Sequence, residues 1–129
     1  MMTNAMQRRD TYRIPIPHSV STRCFIRMRD NAEVMIAVID ISVGGIGLIG
    51  FSPDVDLQEG NEFAGCRLEL PGIGAVHCKL LVGKQSEITL ANGIKTIRTG
   101  CKFAQLSSQN ENLLQRFIYA LEQQANNQH

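Results

Sequence analysis

Gln7-Arg8-Arg9-Asp10-Thr11-Tyr12-Arg13 places three arginines within six residues, just ahead of Ile14-Pro15-Ile16-Pro17. A guanidinium is a planar fork of donors that matches phosphate oxygens and the O6/N7 edge of guanine, and it stacks on flat rings. Pro15 and Pro17 favour an extended chain beyond Arg13, so the arginines would sit on an arm lying across whatever follows. Taken alone, the same residues also describe a solvated basic tail. A second feature is Asp40-Ile41-Ser42-Val43-Gly44-Gly45, where a long apolar run ends in an acid, a hydroxyl and two glycines. Asp40 can accept hydrogen bonds from N1–H and N2–H2 of a guanine, which point the same way, and Ser42 can add a polar contact. Adjacent glycines tolerate positive φ and let a ligand approach the backbone closely. The competing reading is a plain β-turn in which Asp40 and Ser42 bond to their own backbone.

Other chemistries find less support. His77 and Cys78 are adjacent, but neighbours on a strand point to opposite faces and cannot readily hold one ion together. The four cysteines, Cys24, Cys66, Cys78 and Cys101, lie far apart with no CxxC pair, which argues against a zinc ribbon or a redox motif. They fall on the inward phase of their strands and read as small core hydrophobes with reduced thiols. His18 lies between Pro17 and Ser19 in a turn composition, His129 is terminal, and Glu59, Glu62, Glu69 and Glu87 are scattered, so no catalytic centre emerges. A barrel that binds single-stranded nucleic acid would offer aromatic platforms and a basic groove. Here aromatics are 5% of residues, Trp is absent and the formal net charge is +1, which makes DNA a poor partner.

The elements that must position the two features follow from periodicity. Segments 24–28, 66–70 and 76–82 alternate apolar and polar residues with period two, as strands do. Segment 34–41 is a nearly continuous apolar run, expected of a strand buried on both faces, and 46–51 follows it. Asp30-Asn31-Ala32-Glu33 and Pro71-Gly72-Ile73-Gly74 turn the chain, and Asn92-Gly93 is the strongest hairpin signal, joining 87–90 to 94–103. Ser108 with Glu111 makes a capping box, after which Leu113, Leu114, Phe117, Ile118 and Leu121 line one helical face. About six strands and one helix predict an all-β fold with a C-terminal helix, a six-stranded antiparallel β-barrel. Cys24, Ile26, Val38, Leu68, Cys78, Leu80, Cys101 and Phe103 should be buried in it, and Leu114, Phe117 and Leu121 beneath the helix. With 129 residues and 43% hydrophobic composition, one domain is expected over 7–125. Residues 1–6 read as a disordered N-terminus and 126–129 as a tail. A chain that opens almost on its first motif is also what a domain cut from a longer protein would give. No apolar segment has the length of a membrane span or the form of a signal peptide, so a cytoplasmic location without membrane insertion is expected.

Arg9-x-x-x-Arg13 followed by Asp40-x-Ser42-x-x-Gly45 resembles the paired signature of PilZ domains, the bacterial receptors for cyclic di-GMP. Arg98-Thr99-Gly100-Cys101-Lys102-Phe103, Ser107-Ser108 and Leu114-Gln115-Arg116-Phe117-Ile118 extend the likeness to the last strand and helix. In these the chain is most similar to the C-terminal domain of flagellar brake proteins. The resemblance implies a six-stranded barrel, cyclic di-GMP as ligand, no cofactor and no enzymatic activity. It further implies that Arg9 and Arg13 hold phosphate and guanine, with Arg8 as a third cation. Asp40 and Ser42 would read a guanine edge, and Gly45, with Gly44 beside it, would keep the turn open. A signalling role follows, with a protein partner in the flagellar motor or the polysaccharide machinery. The alternatives are a PilZ-like adaptor that binds only proteins and a small barrel that binds single-stranded nucleic acid.

Overall fold

The computed structural model describes residues 13–17, 19–49 and 57–126. These form β1 (Ile14–Pro15), β2 (Arg23–Arg27), β3 (Glu33–Ile41), β4 (Gly45–Ile49), β5 (Glu62–Leu70), β6 (Gly74–Thr89), β7 (Lys95–Gln105) and helix α1 (Ser108–Asn126). All strand pairs are antiparallel, in the order β1-β3-β2-β5-β6-β7-β4, and β4 pairs back onto β3. That last pairing closes a six-stranded barrel, and closure removes the free edges that an open sheet would expose. β1 is an addition to it. At Ala37, β3 pairs with Arg23 on one edge and Ile49 on the other; at Ile41 it pairs with Ile14 and Ile46. β1 therefore continues the edge that β2 leaves unfilled.

The barrel interior holds Cys24, Ile26, Ile36, Val38, Ile41, Ile46, Leu48, Cys66, Leu68, Val76, Cys78, Leu80, Val82 and Cys101 in one cluster with Leu114, Phe117, Ile118 and Leu121 of α1. Each large aliphatic side chain removed from water in this way contributes roughly 1.5–3 kcal/mol. The expected core is thus present, with one difference: Phe103 is only partly buried, packed against the cluster from its margin. All four cysteines are buried free thiols.

Three local expectations change. First, β3 is not buried on both faces, since Met35 is 55% exposed and Ala37 is also exposed. Its apolar run looks continuous because the register against β4 shifts between Val38 and Asp40. The bulge resets the alternation, so Ile36, Val38 and then Ile41 point inward while Asp40 turns out. Second, 76–82 and 87–89 lie in one strand, β6, interrupted by register shifts rather than by a turn. Beyond Val82 it pairs only with β7, and from Glu87 the two strands run on as a two-stranded ribbon, exposed along most of its length, so no inward phase marks it as strand. The Asn92-Gly93 turn closes this ribbon as expected, with Gly93 at φ 85° and Ile94 N–H donating to Asn92 Oδ1 at 3.0 Å. Third, the helix cap is Ser107, whose Oγ accepts the Asn110 N–H at 3.1 Å. Asn110 in turn donates through Nδ2 to the His77 carbonyl at 2.9 Å and ties the start of α1 to β6. No described helix is long and apolar enough to cross a membrane.

Candidate functional site

The outward turn of Asp40 places its carboxylate on the barrel wall. Along that wall the strands meet in a row in which Pro15 pairs with Asp40, Asp40 with Gly47, and Gly47 with Gly100. Two residues before Gly100, on the same face of β7, stands Arg98. Its Nε and Nη2 donate to Asp40 Oδ2 and Oδ1 at 2.7 and 2.9 Å, a two-pronged ion pair across β4. There is no space for a side chain between them: a Cβ at Gly47 would lie 2.5 and 2.6 Å from the Asp40 oxygens and 2.7 Å from Arg98 Nε. Arg13, just before β1, brings Nη1 to 3.7 Å from Asp40 Oδ1, too far for a hydrogen bond. That nitrogen is buried and has no hydrogen-bond partner.

Two guanidinium groups thus face one carboxylate, leaving an excess of positive charge in a half-buried place. The Arg13 pKa falls below its ordinary value, first through burial and then through repulsion by Arg98, with Asp40 acting against both. The Arg98 pKa rises, chiefly through its hydrogen bonds to Asp40. Arg98 is satisfied, whereas Arg13 holds an unused donor beside surplus charge. Such an arrangement favours an anion with an acceptor oxygen.

Ser42 lies behind this row, 2% exposed. Its Oγ accepts the N–H groups of Gly44 and Gly45 at 3.2 and 3.1 Å, and its own N–H donates to the Gly45 carbonyl at 2.9 Å. This is the side-chain-to-backbone bonding of a turn, and it fixes the β3–β4 connection. Neither Gly44 nor Gly45 has a positive φ; among described glycines only Gly60, Gly72, Gly74 and Gly93 do. The need for glycine at 45 is instead close approach, since a Cβ there would lie 2.1 Å from the Cys101 carbonyl oxygen. Gly44 serves through its backbone, its carbonyl accepting the Phe103 N–H at 2.9 Å.

Of the residues singled out in sequence, Arg13, Asp40, Ser42, Gly44 and Gly45 come together at this end of the wall. Arg8 and Arg9 lie outside the described residues, as does His18. Arg98 and Gly47 were missed as site residues. Arg98 appears in sequence only as one residue of a strand, and its pairing with Asp40 spans 58 residues. Elsewhere, His77 is exposed and Cys78 buried, on opposite faces of β6 as expected. Among the described residues no group of His, Cys, Asp and Glu could hold a metal ion. Two open grooves, of about 870 and 1020 Å3, lie away from the cluster, one beside Ile73 and Phe117 and one beside Met28 and Phe63.

The structure is a closed β-barrel with a helix packed on it and two arginines set about one carboxylate on its outer wall near the β3–β4 turn. The chain belongs to the PilZ family, whose domain matches residues 7–120. It is 35% identical over 121 residues to the flagellar brake protein YcgR of Azoarcus sp. strain BH72, covering 91% of this chain and 47% of that protein. It is 36% identical over 129 residues to YcgR of Nitrosomonas eutropha, covering 93% and 48%. The chain therefore spans about half the length of these relatives. Among solved structures, the PilZ domain of Escherichia coli YcgR with c-di-GMP superimposes with a TM-score of 0.74 at 27% identity, over 91% of this chain and 93% of that one. The MrkH–c-di-GMP complex of K. pneumonia has a TM-score of 0.79 at 19% identity, over 91% and 52%, a likeness of fold.

Proposed function

We propose that this chain is a non-enzymatic cyclic di-GMP sensor domain, in which the ligand clamps the segment bearing Arg8, Arg9 and Arg13 against the wall at Asp40. The observation that carries the reading is Arg13: a guanidinium with a buried, unpartnered Nη1, held near a carboxylate already engaged by a second arginine. A phosphate oxygen supplies both the acceptor and the negative charge this site lacks. The ligand held by the similar Escherichia coli PilZ domain supports the choice of anion. In this reading Asp40 takes N1–H and N2–H2 of one guanine. Ser42, Gly44 and Gly45 hold the β3–β4 turn at the position where that base must enter.

A ligand placed against the row is covered further if chain closes over it. The segment before Arg13 is tethered beside the row by β1 and can do this. Its ordering entropy is offset by charge-assisted hydrogen bonds to the ligand. The surface so created, or a changed angle to a neighbouring domain, signals to a protein partner. The flagellar brake relatives favour the motor as that partner and the cytoplasm as the place.

Isothermal titration with cyclic di-GMP, cyclic di-AMP and a random single-stranded oligonucleotide tests the proposal. Cyclic di-GMP should bind and the oligonucleotide should not. Adenine presents an acceptor at N1 and no 2-amino group, so it would leave the Asp40 carboxylate facing a lone pair. Guanine alone can supply the carboxylate's hydrogen bonds, a difference of about 1–3 kcal/mol that predicts at least a fivefold preference for cyclic di-GMP. Equal affinity for both dinucleotides would reduce Asp40 to a turn residue. Binding of the oligonucleotide alone would favour the nucleic-acid barrel, and no binding at all the protein adaptor.

A further inference from the structure

Asp40 is assigned above to a guanine edge, yet both its oxygens already accept hydrogen bonds from Arg98. The donors involved have a common chemistry. Arg98 presents Nε–H and Nη2–H on either side of one sp2 carbon, an N–C–N fork. Guanine presents N1–H and N2–H on either side of C2, the same N–C–N fork with the same spacing and direction. A carboxylate has one face that takes such a fork with both oxygens at once, and two forks cannot share it. We propose that Arg98 is an internal competitor for guanine: in the free domain its guanidinium fills the face of Asp40 that the base takes on binding, and recognition proceeds by exchange of one fork for the other. This rests on the reading of Asp40 given above.

The surroundings of Arg98 suit a group that must leave. Its side chain is 19% exposed, so solvent already reaches it. It lies over Gly47 and Gly100, where an added Cβ would sit 2.7 Å from Nε and 3.4 Å from Nη1. No side chain of those two residues stands in the way of its movement along the wall. Nor does its departure strip Asp40 of counter-charge, because Arg13 stands 3.7 Å from Oδ1. The displaced guanidinium stays positive and beside the site. Arg98 therefore raises the threshold for guanine binding without reducing the attraction for the anion.

The two effects separate in the variant Arg98→Lys, which keeps the charge and loses the fork. Titrated with both dinucleotides, it should bind cyclic di-GMP about tenfold more tightly than wild type. Its affinity for cyclic di-AMP, which has no fork to exchange, should be unchanged. If Arg98 instead holds Asp40 in place for the base, the same variant weakens cyclic di-GMP binding, and the proposal is overturned; unchanged cyclic di-GMP affinity overturns it equally. A measurement on the wild type guards against a variant that folds poorly. The side-chain Nε–H resonance of Arg98 in a 15N spectrum should be protected from exchange in the free domain and lose that protection at saturating cyclic di-GMP. Persistence of the protected signal in the complex overturns the exchange. Failure of the underlying reading looks different, since wild type and Asp40→Ala would then bind both dinucleotides equally.

Discussion

Arg13 and Asp40 carry opposite stability signatures although they are neighbours. Arg13 gains little in the free domain, where burial and Arg98 both oppose its charge and its Nη1 is unpartnered. Arg13→Ala should leave the melting temperature of the free domain unchanged or slightly raised. It should also weaken cyclic di-GMP by roughly ten- to hundredfold, the loss of one charge-assisted contact. Arg13→Lys should recover little of this, because an ammonium cannot make a bidentate contact. Scanning calorimetry beside titration checks both halves, and a variant that melts early but binds normally would make the arginine structural. Asp40→Ala removes the partner of Arg98 at a half-buried position and should cost about 1–3 kcal/mol of stability. At this scale residue type singled out Arg13, Asp40 and Ser42, which the fold brings to one end of the wall, with Ser42 bonded to its own turn. Arg98 was not singled out, because its meaning comes from a pairing partner in another strand.

Strand pairing gives the two glycines of β4 different tasks. A methyl at Gly45 meets the backbone of β7 at the Cys101 carbonyl, where neither strand can yield without losing register. A methyl at Gly47 meets only the ends of the Asp40 and Arg98 side chains, which can swing aside. Gly45→Ala should therefore lower the melting temperature, by an overpacking cost of about 1–3 kcal/mol. Gly47→Ala should melt closer to wild type yet lose much of its cyclic di-GMP affinity, because the carboxylate is displaced. Thermal melts and titrations of the pair check this, and equal destabilisation by both would show that the Asp40–Arg98 pair cannot move. The barrel and the helix were legible as elements, since period-two runs and an apolar helical stripe specify them. Their junctions were less so. The bulge before Asp40 mimics a doubly buried strand, and the ribbon from Glu87 has no inward face to mark it. The cap at Ser107 lies one residue from Ser108, in a serine pair that sequence cannot rank.

For the molecule as a whole, three of the four buried thiols, Cys24, Cys78 and Cys101, set a limit on the alkaline side. Burial, then the neighbouring thiols, pushes Cys78 up to about 12 and Cys101 up to about 11, against an ordinary 9.0. A bond to Cys66 and burial also raise Cys24, while the same bond lowers Cys66, which therefore acts in the opposite sense. A group whose pKa is higher in the folded than in the unfolded chain stabilises the fold fully below the unfolded value and progressively less above it. Stability should thus be flat with respect to Cys24, Cys78 and Cys101 up to about pH 9.0 and fall as pH rises towards 12. Melting temperatures measured from pH 7 upward check the sign, and a rise across that window would contradict it. In the same way, a thiol-reactive disulfide reagent at pH 8 should label none of the four cysteines until denaturant is added.

The short strand β1 also has a consequence in the currency of concentration. Its pairing with Asp40 and Ile41 pins the chain within two residues of Arg13. Arg9 is four residues upstream, so covalent geometry keeps it within about 14 Å of Arg13. A group tethered that closely experiences an effective concentration in the millimolar range. Residues 1–12 supplied as a separate peptide to a domain beginning at Arg13 would have to be added at that level to match what two paired residues provide.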